Sequence, residues 1–194
     1  HVERMNEESA NALLKVMEEP PEGVLFLLTA DSLAGVLPTI RSRCISFAVA
    51  PVSPADCTRY CVAQGVEPQA AALYSALFDG HIGTVLAVAR DEARTAQVEK
   101  ALDLARAAAA RDSYAAAVLL SSCEKDKAGA AALLTDFRAV AAAGLRSSAQ
   151  APVQGAQARQ ALRLADAAIQ RLGAQVNPKI VLSVFAAKLR TLCT

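Results

Sequence analysis

Tryptophan is missing from this chain of 194 residues, and phenylalanine and tyrosine bring the aromatic share only to 4%. With so few rings, a hydrophobic share of 54% has to be made from alanine, leucine and valine. Such a core suits closely packed helices better than stacked sheets, whose faces favour β-branched and aromatic residues. A block of like charge is missing too. Lys and Arg number 20 against 19 Asp and Glu, a formal net charge of +1, so no basic stripe marks a surface that would grip nucleic acid unaided. No GxxxxGK(S/T) loop occurs, which removes the amide cradle and the lysine by which a P-loop protein holds a triphosphate.

No uninterrupted apolar run approaches the length of a bilayer span, and Glu3, Arg4, Glu7 and Glu8 break the pattern of a cleaved leader. The expectation is a cytosolic (cytoplasmic) protein with no membrane partner. The five cysteines, Cys44, Cys57, Cys61, Cys123 and Cys193, form no CxxC pair, and His1 and His81 are the only imidazoles. Cys57 and Cys61 lie one helical turn apart. Free thiols behave as small buried hydrophobes, so all five are expected to be reduced, buried and silent, with no metal site. A self-contained enzyme is the least supported class, because no Ser/His/Asp set, metal cluster or glycine-rich cradle is present.

What the chain does contain is ordered. Ala10, Leu13, Leu14 and Met17 recur at helical spacing until Pro20-Pro21 and Gly23 stop them. Val24 to Leu28 is solidly apolar, as in a strand covered on both faces. Asp31 or Ser32 can cap a short helix carrying Leu33, Val36 and Leu37, Pro38 begins a further turn, and Ile45, Phe47 and Val49 alternate as a second strand. This is an α/β pattern cut off at its beginning. Pro51 and Pro54 mark a boundary, and Ser53-Pro54-Ala55-Asp56 reads as a helix start with cap, first-turn proline and acidic group. Three helices are expected, ending near Gly65, Phe78 and Asp91. A unit that small cannot bury a core of its own and should lean on its neighbours.

From Thr95 the sequence is alanine-rich, with helices expected near 95–110, 113–123 and 126–146. A polar link from Ser147 to Gln157 reads as a flexible loop before two last helices. Asn177-Pro178 opens the final one. Its apolar residues Ile180, Val181, Leu182, Val184, Phe185, Leu189 and Leu192 cover more than one face, so it is expected to be buried or to meet partner chains.

The residues Glu3-Arg4-Met5, Asn11-Ala12-Leu13-Leu14-Lys15, Glu18-Glu19-Pro20-Pro21, Phe26-Leu27-Leu28-Thr29, Leu37-Pro38-Thr39-Ile40 and Arg41-Ser42-Arg43-Cys44 resemble the clamp-loader branch of the AAA+ ATPases. The late Asn177-Pro178 helix start agrees. The resemblance is specific in the first fifty residues and rests on helix order in the alanine-rich part. It implies a mainly α chain in three pieces: residues 1–50 as the C-terminal part of an α/β AAA+ core, 51–93 as a three-helix lid, and 94–194 as a helical collar for oligomerisation. It also implies partners: gamma/tau-type motor subunits, a delta subunit, and a sliding clamp and primer-template DNA met through the assembled complex.

Ser42-Arg43-Cys44 is similar to the family's SRC motif, whose arginine reaches the γ-phosphate held by the next subunit. Arg43 is then an arginine finger in trans, with Ser42 orienting the turn and Cys44 packing beneath it; Arg41 carries no motif and is read as solvated. Thr29 stands at the family's sensor 1 position, although without a P-loop the plain reading of a strand threonine is preferred. In Gly80-His81-Ile82-Gly83-Thr84, Gly83 occupies the place where motor subunits carry the sensor 2 arginine, and a glycine offers a phosphate no side chain. His81 beside it reads as a lid packing or surface residue. A retained Arg43 with a lost sensor 2 implies an accessory, stator-like subunit that binds no cofactor itself, with ATP and Mg on neighbouring subunits. Two alternatives stay open: a piece of a gamma/tau motor ATPase, and a helical scaffold unrelated to replication.

Overall fold

The computed structural model describes residues 1–30, 32–50, 52–146 and 149–190, and divides the chain into two compact units, His1–Ala50 and Pro51–Thr194. The chain is mainly helical: the described residues form ten α-helices and no strand.

In the first unit, a 3-10 turn at Val2–Arg4 precedes α1, Glu7–Glu18. The Asn6 side chain accepts the Ser9 amide at 2.8 Å, satisfying one of the amides that a helix start leaves without a partner, and Glu7 and Glu8 face the positive end of the dipole. A second 3-10 turn, Leu33–Gly35, capped by Ser32, leads to α2, Pro38–Arg41. The stripe seen in the sequence does its work here. Ala10, Val36 and Ile40 are buried together, and Leu13, Leu14, Met17 and Cys44 pack around them.

The two expected strands do not form. Val24 to Leu28 and Ile45 to Val49 are neither helix nor strand, and Leu25 and Phe47 are 81% and 83% exposed. A strand exists only as one side of a ladder, and among the described residues of 1–50 no segment pairs with either run. The apolar pattern encodes a preference for a covered sheet without supplying the neighbours. The α/β character expected of this segment is therefore absent from the structure.

The second unit starts with α3 (Pro54–Ala63), α4 (Pro68–Leu77) and α5 (Ile82–Arg90). Ser53 accepts the Asp56 amide at 3.1 Å, and Glu67 accepts that of Ala70 at 2.7 Å. Then follow α6 (Glu92–Ala110), α7 (Ser113–Ser121), α8 (Lys127–Leu145), α9 (Gly155–Gly173) and α10 (Pro178–Leu189), which Asn177 caps by accepting the Lys179 amide. One continuous core runs from Cys57 and Cys61 in α3 through Leu102, Leu133 and Phe137 to Phe185 and Leu189. The short helices do lean on the longer ones. Arg146, just past α8, donates to the Ala76 and Leu77 carbonyls at 3.3 and 3.1 Å and pairs with Asp79, closing the end of α4.

α8 raises a question of placement, since it is long and apolar enough, by composition, to cross a membrane. Its place is the middle of the bundle, against α6 and α9, with Leu133, Leu134, Phe137 and Val140 buried. Its Asp136 is buried too, held by Arg94 of α6 at 2.5 and 2.6 Å.

α10 resolves a second question. Val181, Leu182, Phe185 and Leu189 are buried inside this chain, and Phe185 meets Phe137 edge-on at 5.4 Å. Among the described members of the large apolar set, only Ile180 stands mainly in solvent, at 60%. Cys57, Cys61 and Cys123 are free and buried, whereas Cys44 is only half-buried. Burial pushes the Cys61 thiol up, with the neighbouring Cys57 adding to it. Asp31, Pro51, Ser147, Leu192 and Cys193, each given a part above, lie outside the described residues.

Candidate functional site

Arg43 follows the end of α2, and the small core of the first unit determines where that end lies. Ile40 is buried with Ala10 of α1, and Met17 and Cys44 both pack against that cluster; Glu18 and Arg43, the residues next to them, meet beside it. Arg43 Nη2 donates to Glu18 Oε1 in a short ion pair. Arg43 Nη1 donates to the Thr39 carbonyl at 3.1 Å and lies 3.5 Å from Ser42 Oγ. The Ser42 hydroxyl donates to the same carbonyl at 3.0 Å. Ser42 and the last turn thus hold one edge of the guanidinium, and a carboxylate meets the other.

The site is open. The side chains of Arg43 and Glu18 are 38% and 51% exposed, so solvent and any incoming anion reach them. A guanidinium is always ionised and presents its donors as a planar fork, the geometry that carboxylates and phosphate oxygens share. Glu18 is the residue that sequence reading missed as a member of this site. Met17 before it and Pro20-Pro21 after it mark the end of α1 in the sequence, but not what stands across from that end.

Thr29 is not gathered here. It is exposed, its carbonyl accepts the Val2 amide at 2.9 Å, and its hydroxyl accepts from the His1 amino group at 3.3 Å. Gly83 belongs to the second unit, in the first turn of α5, and a Cβ built on it would meet nothing within 4 Å. The absence of a side chain at that position is therefore not a demand of packing. His81, at the head of the same helix, places Nδ1 2.7 Å from the Phe78 carbonyl.

The geometry stands in a segment with known relatives. Residues 1–53 match the family model described as DNA polymerase III, delta subunit. Over these residues the chain is similar to that family. DNA polymerase III subunit delta' of Haemophilus influenzae is 60% identical over 42 residues, 22% of this chain and 13% of the relative. The delta' subunit of Yersinia pestis is 43% identical over 60 residues, 31% of this chain and 18% of the relative. The gamma subunit of Buchnera aphidicola is 40% identical over 55 residues, 28% of this chain and 15% of the relative. The alignments thus span less than a fifth of these relatives' lengths. Among these relatives the name delta' recurs beside that of a gamma subunit.

Proposed function

We propose that this chain is part of an accessory, stator-like clamp-loader subunit of the delta-prime type, at work in the cytoplasm during DNA replication. Arg43 is offered in trans to the γ-phosphate of ATP and Mg held by a neighbouring gamma/tau-type motor subunit, while a sliding clamp is loaded on primed DNA. The observation that carries this reading is the setting of Arg43. A fork of permanent positive charge stands at an open rim, oriented by Ser42 and Thr39, inside residues 1–53, which the family model matches. Charge on a transferring phosphoryl group needs such a donor, and supplying it from another subunit makes hydrolysis depend on assembly.

Similarity to a gamma subunit over 55 residues supports a second reading, a piece of a motor subunit. Gly83 favours the accessory role. A motor subunit needs an arginine at that position to close the lid on its own nucleotide, and the open space around Gly83 would accept one.

The test is a loader assembled with the Arg43→Ala protein. Assembly on gel filtration should be retained, and the clamp- and DNA-stimulated ATPase rate should fall by about 10³-fold, the size of an arginine-finger effect. An unchanged rate would remove Arg43 from the reaction.

A further inference from the structure

The finger is already occupied. Its Nη2 edge is held by Glu18, an acidic group 25 residues earlier in the chain, and its Nη1 edge by the Thr39 carbonyl. A phosphate oxygen needs the same planar donors, so carboxylate and phosphate compete for one fork. We propose that Glu18 is a positioning residue that parks Arg43 in its resting orientation, and that the guanidinium must leave it before the arginine can serve a neighbour's nucleotide. This rests on the reading of Arg43 given above.

Three features make the contact a latch, closed at rest and able to open. Both side chains reach solvent, so a released Glu18 is hydrated again and the exchange is cheap; a buried pair would be locked. Glu18 lies in the last turn of α1, at the negative end of the helix dipole and beside Glu19, where an unpaired carboxylate is disfavoured and tends to return to the guanidinium. Pro20-Pro21 ends the helix just beyond, and the buried Ala10 with the packed Leu13, Leu14 and Met17 anchors α1 on α2, so the carboxylate keeps its place. The guanidinium swings while the acid stays.

The latch can be read in the protein alone. Phenylglyoxal, which reacts with accessible guanidinium groups, should modify Arg43 about two- to five-fold faster in Glu18→Gln than in the parent chain, the range an exposed ion pair spans. Peptide mass spectrometry resolves Arg43 from arginines far from Glu18, whose rates should stay equal. Glu18→Ala should behave alike, and circular dichroism should show α1 intact in both. Equal Arg43 rates in all three proteins would overturn the latch, whatever Arg43 does in an assembly.

In the assembled loader, Glu18→Gln should raise the ATPase rate at sub-saturating nucleotide by a similar factor, and the Glu18→Gln/Arg43→Ala double variant should match Arg43→Ala alone. A Glu18 effect that persists without Arg43 is merely structural and also overturns the proposal. If Arg43→Ala leaves turnover unchanged while the labelling difference stands, the trans role fails and the parking contact survives.

Discussion

Arg94 of α6 and Asp136 of α8, 42 residues apart in sequence, close a two-pronged ion pair at 2.5 and 2.6 Å in the wall of the helical core. Asp136 is almost wholly buried and Arg94 keeps part of its surface in solvent. Hydrogen bonding to Asp136 raises the Arg94 pKa further, which leaves it charged at any relevant pH. Asp136→Asn should cost about 2–3 kcal/mol in urea unfolding, because a guanidinium loses its counter-charge where water only partly replaces it. Replacing both residues by leucine should recover much of the loss, since the pair also repays a desolvation cost. A double variant as unstable as the single one would show that the pair contributes more than charge matching.

Gly144 tests packing. A Cβ there would lie 1.9 Å from the Val153 carbonyl oxygen and 3.1 Å from Ala158 Cβ, so α8 approaches the 151–153 loop more closely than any other residue type permits. Gly144→Ala should cost about 1–3 kcal/mol, the usual size of overpacking. Gly83→Ala, facing open space, should leave stability unchanged or raise it by up to about 0.5 kcal/mol. Thermal melts of the two variants should move apart.

Glu67 gives a pH test. Its carboxylate accepts the amides of Gln69 and Ala70 at the head of α4, which lowers its pKa below the usual glutamate value. A carboxyl with a depressed folded pKa adds stability above its unfolded value of about 4.3, and that stability is lost as pH falls through the lower folded value. The difference in unfolding free energy between the parent chain and Glu67→Gln should therefore be constant near neutrality and shrink below about pH 4. A difference that does not depend on pH would assign the effect to the cap's geometry alone.

On α10, Leu189→Asp and Ile180→Asp should differ sharply. Leu189 is buried in the chain's own core, so a carboxylate there should cost more than about 3 kcal/mol. Ile180 stands in solvent and should change stability by no more than about 0.5 kcal/mol. Differential scanning calorimetry separates the two outcomes. A loss of assembly in Leu189→Asp would report unfolding, so Ile180 is the position at which contact with partners can be tested cleanly.

Local chemistry made much of the helical unit legible. Ser53-Pro54 and Asn177-Pro178 each name a cap and a first-turn proline, and both helices begin there. The stripe of Ala10, Leu13, Leu14 and Met17 gave α1 its buried face. What escaped depends on partners far apart in sequence. Nothing local to Glu18 points to Arg43, and nothing local to Arg146 points to the end of α4. The strands failed for the same reason in reverse: Val24–Leu28 and Ile45–Val49 have the composition of sheet residues, but pairing is a property of two segments, and the pattern of one cannot report whether another lies beside it. At Arg43, the motif was visible from sequence and the occupied state of its side chain was not.

Those two runs also set how the protein behaves in a tube. VLFLL and ISFAV carry neither charge nor proline, favour extended pairing, and leave Leu25, Leu27, Ile45, Phe47 and Val49 wet. Segments of this kind seed intermolecular β-pairing from the native state, with no unfolding step required. Precipitation on concentration should therefore track these ten residues and not the melting of the helices, and a lysine in place of Phe47 should lengthen storage life while leaving the melting temperature alone.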